Sequence, residues 1–246
     1  MSKKEESKIM SKDSRKRLQK DIIDIIKNPL TEHGIYYTHD DSNMLKGYAV
    51  IFGPTDTIYR YGAYMFEFKF PTNYPVSPPK LTYLTNDGTT RFHPNLYRNG
   101  KVCLSVLNTW RGEGWTSCQT IRSILLILVT LFHNKPLLNE PGIKETHHSF
   151  KPYNKIITYR NIEHSLIKTY ASGLKPESQA VYISWFYPFY KKYISNHKEN
   201  IIKYIEQIKN DEEYNGKFST SIYGLKCETN YQKLLTNFKK VTTKLN

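Results

Sequence analysis

One of the chain's three cysteines sits in company that could do chemistry. Cys103 lies between Val102 and Leu104 on a short apolar segment, three residues after an Asn99-Gly100 pair that reads as a tight reversal. Upstream stands His93-Pro94-Asn95, whose proline restricts the histidine before it to extended backbone and so fixes where the Asn95 amide points. Downstream, Trp110 and Trp115 are separated by a glycine-rich polar insert. A thiol, an amide of fixed direction and flanking aromatics are the parts of an acyl-transfer site. Taken alone, a cysteine between valine and leucine is more often a small buried hydrophobe than a nucleophile. The neighbours of Cys103 reverse that order, whereas Cys118 and Cys227 lack such company and read as packing or incidental thiols.

This constellation resembles the catalytic core of ubiquitin-conjugating enzymes. That family places the asparagine of a His-Pro-Asn tripeptide eight residues before its active cysteine, follows the cysteine with leucine and opens the next loop with tryptophan. Asn95, Cys103, Leu104 and Trp115 repeat that arrangement. Ser105, the longer loop from Trp110 to Trp115 and the later Asn139-Glu140-Pro141-Gly142 are most similar to the enzyme Z and BRUCE branches of the family.

The resemblance implies that Cys103 receives the C-terminal acyl group of ubiquitin or a ubiquitin-like protein, as a thioester, from an activating enzyme. A substrate lysine or a ligase cysteine then takes it. For Asn95 two readings stay open and are not exclusive: its amide donates to the tetrahedral oxyanion, or it braces the loop by bonding backbone groups. His93 and Pro94 support that loop. The acceptor amine, of pKa about 10.4 unperturbed, must shed a proton before attack. Many family members guide it with an aspartate two places after the cysteine and a later acidic residue. Here Ser105 takes the first place and Asn139-Glu140 the second, which makes Glu140 the nearer charge and Asn139 a polar guide. The matching family helix docks the activating enzyme, which marks Lys16, Arg17 and Lys20. Val76 and Ser117, with Trp115 beside them, fall where ring-type ligases grip, at points where the family commonly has a large apolar residue and a proline.

The elements that must position these residues follow from periodicity. Residues 1–11 read as a mobile basic tail. Leu18, Ile22, Ile25 and Ile26 then recur at helical spacing, with Ser11 or Asp13 able to cap and Asn28-Pro29 to stop the helix, which leaves Lys16, Arg17 and Lys20 on its wet side. Short β-rich runs at Tyr36-Tyr37, Tyr48 to Phe52, Tyr64 to Phe70 and Leu81 to Leu84 alternate with turn clusters, as in an antiparallel meander. Gln119 to His133 is an apolar helix of the core. After Phe150 the pattern is helical: one helix around Ile156 to Leu166, another from Val181 to Tyr193 bent or broken at Pro188, then Ile201 to Ile208 and Tyr231 to Val241. The expected fold is α+β: a conjugating-type core at 12–148, with a four-stranded antiparallel sheet flanked by helices, and an all-helical C-terminal extension at 149–246. That extension reads either as a selector of substrate or activating enzyme, or as a buttress.

Composition narrows the rest. A formal charge of +14 invites a nucleic-acid partner, but the charge is spread along the chain without a recognised binding motif. His147-His148 lacks companion ligands at useful spacing, so neither a metal nor another cofactor is expected. The longest apolar run, Ile124 to Phe132, is too short to span a bilayer, and the Lys-rich start lacks the apolar heart of a signal peptide. With no Cys-x-x-Cys pair, a reducing cytoplasmic or nuclear setting is expected. The rival classes are a papain-like hydrolase pairing Cys103 with His133 or His93, a non-catalytic ubiquitin-binding variant, and a basic nucleic-acid binder.

Overall fold

The computed structural model describes residues 9–174 and 181–243. Of the tail expected at 1–11, residues 1–8 lie outside the described residues, and Ile9 is 93% exposed. Helix α1 runs Lys12–Lys27, capped by the Ser11 hydroxyl, which accepts from the Ser14 N–H, and buries Leu18, Asp21 and Ile25. Four strands follow: β1 (Ile35–His39), β2 (Lys46–Phe52), β3 (Ala63–Lys69) and β4 (Lys80–Tyr83). They form one antiparallel sheet in the order β1-β2-β3-β4. Helix α2 (Ile121–Thr130) opens on a capping box between Thr120 and Ser123 and buries Ile121, Ile124, Leu125 and Leu128.

The central strands β2 and β3 are buried on both faces, which is why they read as continuous apolar runs. Register puts Tyr36, Tyr48, Val50 and Phe52 on one face, and Tyr37, Ala49, Ile51, Tyr64 and Phe66 on the other. The second face meets Phe132, just beyond α2, whose ring lies 4.3 Å from that of Tyr64. The first face is covered by the C-terminal extension.

That cover is α5 (Val181–Lys209), one helix that runs through Pro188, where a bend or a break was expected, and takes in Ile201 to Ile208, expected as a separate helix. Proline inside a helix costs about 3 kcal/mol. Against that, Phe186, Tyr190, Ile194, Ile201, Ile205 and Ile208 are all buried, each worth about 1.5–3 kcal/mol, so packing carries the helix through. Trp185 sits edge-on to Tyr48 at 5.3 Å, Phe189 4.9 Å from Tyr36, and Tyr193 stacks on Phe52 at 4.0 Å.

Between core and α5 runs a helical rod: α3 (Phe150–Arg160), a π-helical stretch Asn161–Lys168 and α4 (Thr169–Gly173). Buried Asn161 accepts from the Tyr64 hydroxyl at 2.6 Å and donates to the Arg60 carbonyl at 2.9 Å. It can approach so closely because residue 62 is glycine; a Cβ there would lie 2.0 Å from the Asn161 Oδ1. The Tyr190 hydroxyl closes on the carbonyls of Ser165 and Leu166 at 2.9 and 2.6 Å, at a place where the wider π turn loosens the helical ladder.

The extension is not helical throughout. Strands β5 (Lys217–Ser219) and β6 (Lys226–Glu228) pair as a small antiparallel ribbon before α6 (Tyr231–Thr242). Three-residue strands with exposed lysines at their ends leave no alternation for a sequence reading to detect. A single hydrophobic cluster extends from Leu18 to Phe238, so core and extension are packed as one body.

Candidate active site

Residues 91–109 fold back on themselves beside the edge strand β4. Leu96 bridges Val102, and the turn between them closes with Gly100 N–H on the Tyr97 carbonyl at 2.9 Å. Gly100 has φ +85, and a Cβ there would meet the Tyr83 carbonyl oxygen at 3.0 Å, so the reversal needs glycine. Across this fold-back Asn95 and Cys103 hold each other at two points. The Cys103 N–H donates to the Asn95 carbonyl at 2.9 Å, and the Asn95 Nδ2 donates to the Cys103 carbonyl at 2.6 Å. The amide therefore braces the cysteine segment in this structure, one of the two roles left open for it.

The direction of that amide is set by a chain of donors. Lys135 N–H donates to the His133 Nδ1 at 3.2 Å, which places the imidazole proton on Nε2, 3.2 Å from the Asn139 Oδ1. The Asn139 Nδ2 then donates to the Asn95 Oδ1 at 3.4 Å, leaving the Asn95 NH₂ turned to Cys103. His93 is wholly buried and its Nδ1 accepts from the Asn95 N–H at 3.0 Å. Burial, with His133 and Arg91 nearby, holds its pKa well below the usual histidine range. Its Nε2 has no partner among the described residues. Both imidazoles thus spend their acceptor nitrogen on backbone N–H groups, so neither is placed to take a proton from a thiol as a papain-like pair requires.

Cys103 differs from expectation. The nucleophile reading of Cys103 calls for a sulfur that a donor can reach, yet the residue is 1% exposed. The segments on both sides of it are clasped by Thr109, whose hydroxyl accepts from the Leu104 N–H at 2.9 Å and lies 2.9 Å from the Val102 carbonyl. Leu104 is itself buried. The insert beyond is pinned at its ends by left-handed Asn108 (φ 56), whose Oδ1 accepts from the Trp115 N–H at 2.8 Å. Of the other thiols, Cys118 is exposed, and Cys227 is buried, which pushes its pKa up.

The residues expected to meet partners separate. Lys16 and Lys20 are exposed on α1. Arg17, expected on the same wet side, is turned inward: its Nε lies 3.1 Å from Asp21, and its Nη1 and Nη2 donate to the carbonyls of Ser117 and Gln119 at 2.6 and 2.7 Å. Asp21 accepts in turn from the buried Tyr74 hydroxyl at 2.5 Å. The sequence reading missed this because the backbone acceptors of Arg17 lie about a hundred residues away. The Trp115 indole points to the proline-rich loop, donating to the Pro75 carbonyl at 2.7 Å, so Val76, 72% exposed, and exposed Ser117 flank it.

Three residues at the site carried no sequence signal. Arg91 donates to the carbonyls of His93 and Pro94 at 3.3 and 2.6 Å and lies 3.2 Å over the Tyr97 ring. Tyr153 holds the Arg91 carbonyl at 2.8 Å. Tyr223, from the extension, bonds Glu140 through its hydroxyl and accepts from Arg98 at its carbonyl at 2.5 Å. The contacts of Tyr153 and Tyr223 join positions far apart in the chain, which periodicity does not register.

Comparison with known proteins converges on the same segment. The family model described as ubiquitin-conjugating enzyme matches residues 17–160. The Xenopus tropicalis protein named ubiquitin-conjugating enzyme E2 Z is 41% identical over 149 residues, which take in 59% of this chain and 47% of that protein. Its human namesake is also 41% identical over 149 residues, covering 59% and 42%. The human dual E2 ubiquitin-conjugating enzyme/E3 ubiquitin-protein ligase BIRC6 is 40% identical over 127 residues, covering 48% of this chain and 3% of that protein. The chain spans about half the length of the E2 Z relatives it matches. With a four-stranded antiparallel meander, an asparagine clamped to a cysteine eight residues on, and a family match over more than half its length, the chain belongs to the ubiquitin-conjugating enzyme family.

Proposed function

We propose that the chain accepts ubiquitin or a ubiquitin-like protein on Cys103 from an activating enzyme, then passes it to a substrate lysine or a ligase. The Cys103 sulfur attacks the carbonyl carbon of the modifier's C-terminal thioester; a new C–S bond forms, the activating enzyme's sulfur leaves, and the thiol proton passes to it or to solvent. In the second step a deprotonated lysine amine attacks that carbonyl, the Cys103 C–S bond breaks and the surplus proton goes to solvent. Both steps pass through an oxyanion. The observation that carries the reading is the Asn95 amide, oriented by Asn139 and His133 and fixed on the backbone of Cys103 itself. One of its two N–H groups is spent on the Cys103 carbonyl; the other is the donor for the oxyanion. Since Cys103 is 1% exposed, loading includes a local opening of the residues over it.

The same proposal takes 12–148 as the conjugating core and 149–246 as its extension, places Lys16 and Lys20 against the activating enzyme, and places Val76, Trp115 and Ser117 against a ligase. A cytoplasmic or nuclear location goes with it, because the reaction needs Cys103 reduced. Incubation with an activating enzyme, ATP and ubiquitin tests it. The expected product is an adduct that thiol reductants remove and that Cys103→Ser turns into a reductant-resistant ester or abolishes. An adduct carried by Cys118 or Cys227, or conjugate cleavage without ATP, overturns it.

A further inference from the structure

The geometry points to Tyr223, on the loop between β5 and β6 of the C-terminal extension, as a positioning residue that aims Glu140 at the incoming lysine. This rests on the conjugating reading above. The carboxylate of Glu140, the residue after Asn139, accepts from the Tyr223 hydroxyl, and Tyr223 in turn meets Arg91 and Arg98 of the segment that holds Cys103. Among the described residues, that hydroxyl is the carboxylate's hydrogen-bond partner. The tyrosine is itself held from several sides. Its ring lies under the Arg91 guanidinium at 5.1 Å and 6.1 Å from the Tyr153 ring. Its carbonyl accepts from Arg98 at 2.5 Å, and neighbouring Ser221 bonds His148 at 2.8 Å and Ser149 at 3.1 Å. Tyr223 adopts φ 63, a left-handed conformation that a bulky residue keeps only where its surroundings impose it.

The contacts of Arg91, Arg98, Glu140 and His148 go to the Cys103 segment and the stretch beyond α2, while Tyr153 and Ser149 tie the loop to the start of the extension. Arg91 in turn holds the carbonyls of His93 and Pro94. The extension therefore completes the wall of the site, and the hydroxyl of Tyr223 decides where the only carboxylate of the Asn139-Glu140 pair points. A lysine arrives as a cation and must be drawn in before it loses its proton, which a fixed carboxylate assists. A neutral amine gains nothing from that charge.

The test uses the full chain loaded with ubiquitin, discharged onto free lysine and, separately, onto hydroxylamine, which is neutral at neutral pH. Tyr223→Phe keeps the ring and removes the hydroxyl. Lysine discharge is expected to slow about fivefold through a higher lysine KM, while hydroxylamine discharge holds and the melting temperature falls by no more than the few degrees that one lost hydrogen bond costs. Glu140→Gln should show the same split, and the double variant should be no slower than Glu140→Gln alone. Equal slowing with both amines would assign Tyr223 a purely structural role, and additive effects would show that it acts apart from Glu140; either overturns the proposal. A wild-type chain that takes no thioester removes the conjugating reading itself, an outcome separate from a loaded enzyme indifferent to Tyr223.

Discussion

Two seams hold this molecule together, and they are made of different materials. Where α5 lies across the sheet, the contacts are rings on rings: Tyr36 with Phe189, Tyr48 with Trp185, Phe52 with Tyr190 and Tyr193. Around Cys103 the contacts are single side chains reaching backbone groups: Asn95, Thr109, Arg91, Tyr59 and Tyr153 each close on a carbonyl. The first seam is non-directional and scales with area, so it supplies stability and tolerates small shifts. The second yields about 1 kcal/mol per bond but fixes direction, which a reacting carbonyl requires. Damage to the first should appear in unfolding experiments, and damage to the second in rates.

The largest effect is expected at the aromatic seam. Phe52 is 2% exposed and stacked on Tyr193, so Phe52→Ala should cost about 3–5 kcal/mol in denaturant unfolding while thioester formed per folded molecule stays the same. A loss of rate without loss of stability would erase the contrast. Next comes Asn95→Ala, expected to slow discharge onto lysine about 10²-fold, and more than loading, at a stability cost of only about 1 kcal/mol. Wild-type discharge rates in that variant would leave the amide as a brace alone.

The smallest effect sharpens the comparison by pH. His93 has a folded pKa well below its ordinary 6.5, because it is buried neutral. Below about 6.5 the unfolded chain binds a proton that folded His93 refuses, so its contribution is intact above that pH and lost as the pH falls. His39 and His164 are lowered too, by burial first, and push the same way. Between about pH 7.5 and 5.5 unfolding free energy should fall by up to about 1.4 kcal/mol per pH unit through His93, with smaller falls from the other two, and His93→Gln should flatten its share. An unchanged slope in that variant would mean that His93 is charged in the fold.

Legibility in the sequence follows the same division. The four strands emerge within a few residues of their expected places, because turn clusters punctuate the runs, and α1 begins where Ser11 can cap it. The π-helical stretch passes as ordinary helix, since eight residues do not separate the two periods. Pro188 misleads because a local rule about backbone donors is outweighed by burial along α5. At the site, the spacing of Asn95 and Cys103 was readable because their contact is local. The clasp of Thr109 is local too but leaves no mark in residue type, whereas the inward turn of Arg17, the reach of Tyr223 to Glu140 and the burial of Cys103 depend on tertiary placement.

On the proposed reading, that burial bears on how the Cys103 thiol lasts between loading events. Peroxide and small electrophiles attack a thiolate they can touch, and oxidation past the sulfenic stage is seldom reversed. With Cys103 covered and Cys118 standing in solvent, the idle molecule offers such reagents an expendable sulfur first. On the proposed reading Cys103 is the sulfur without a substitute, and its cover lasts until the loading partner opens the segment.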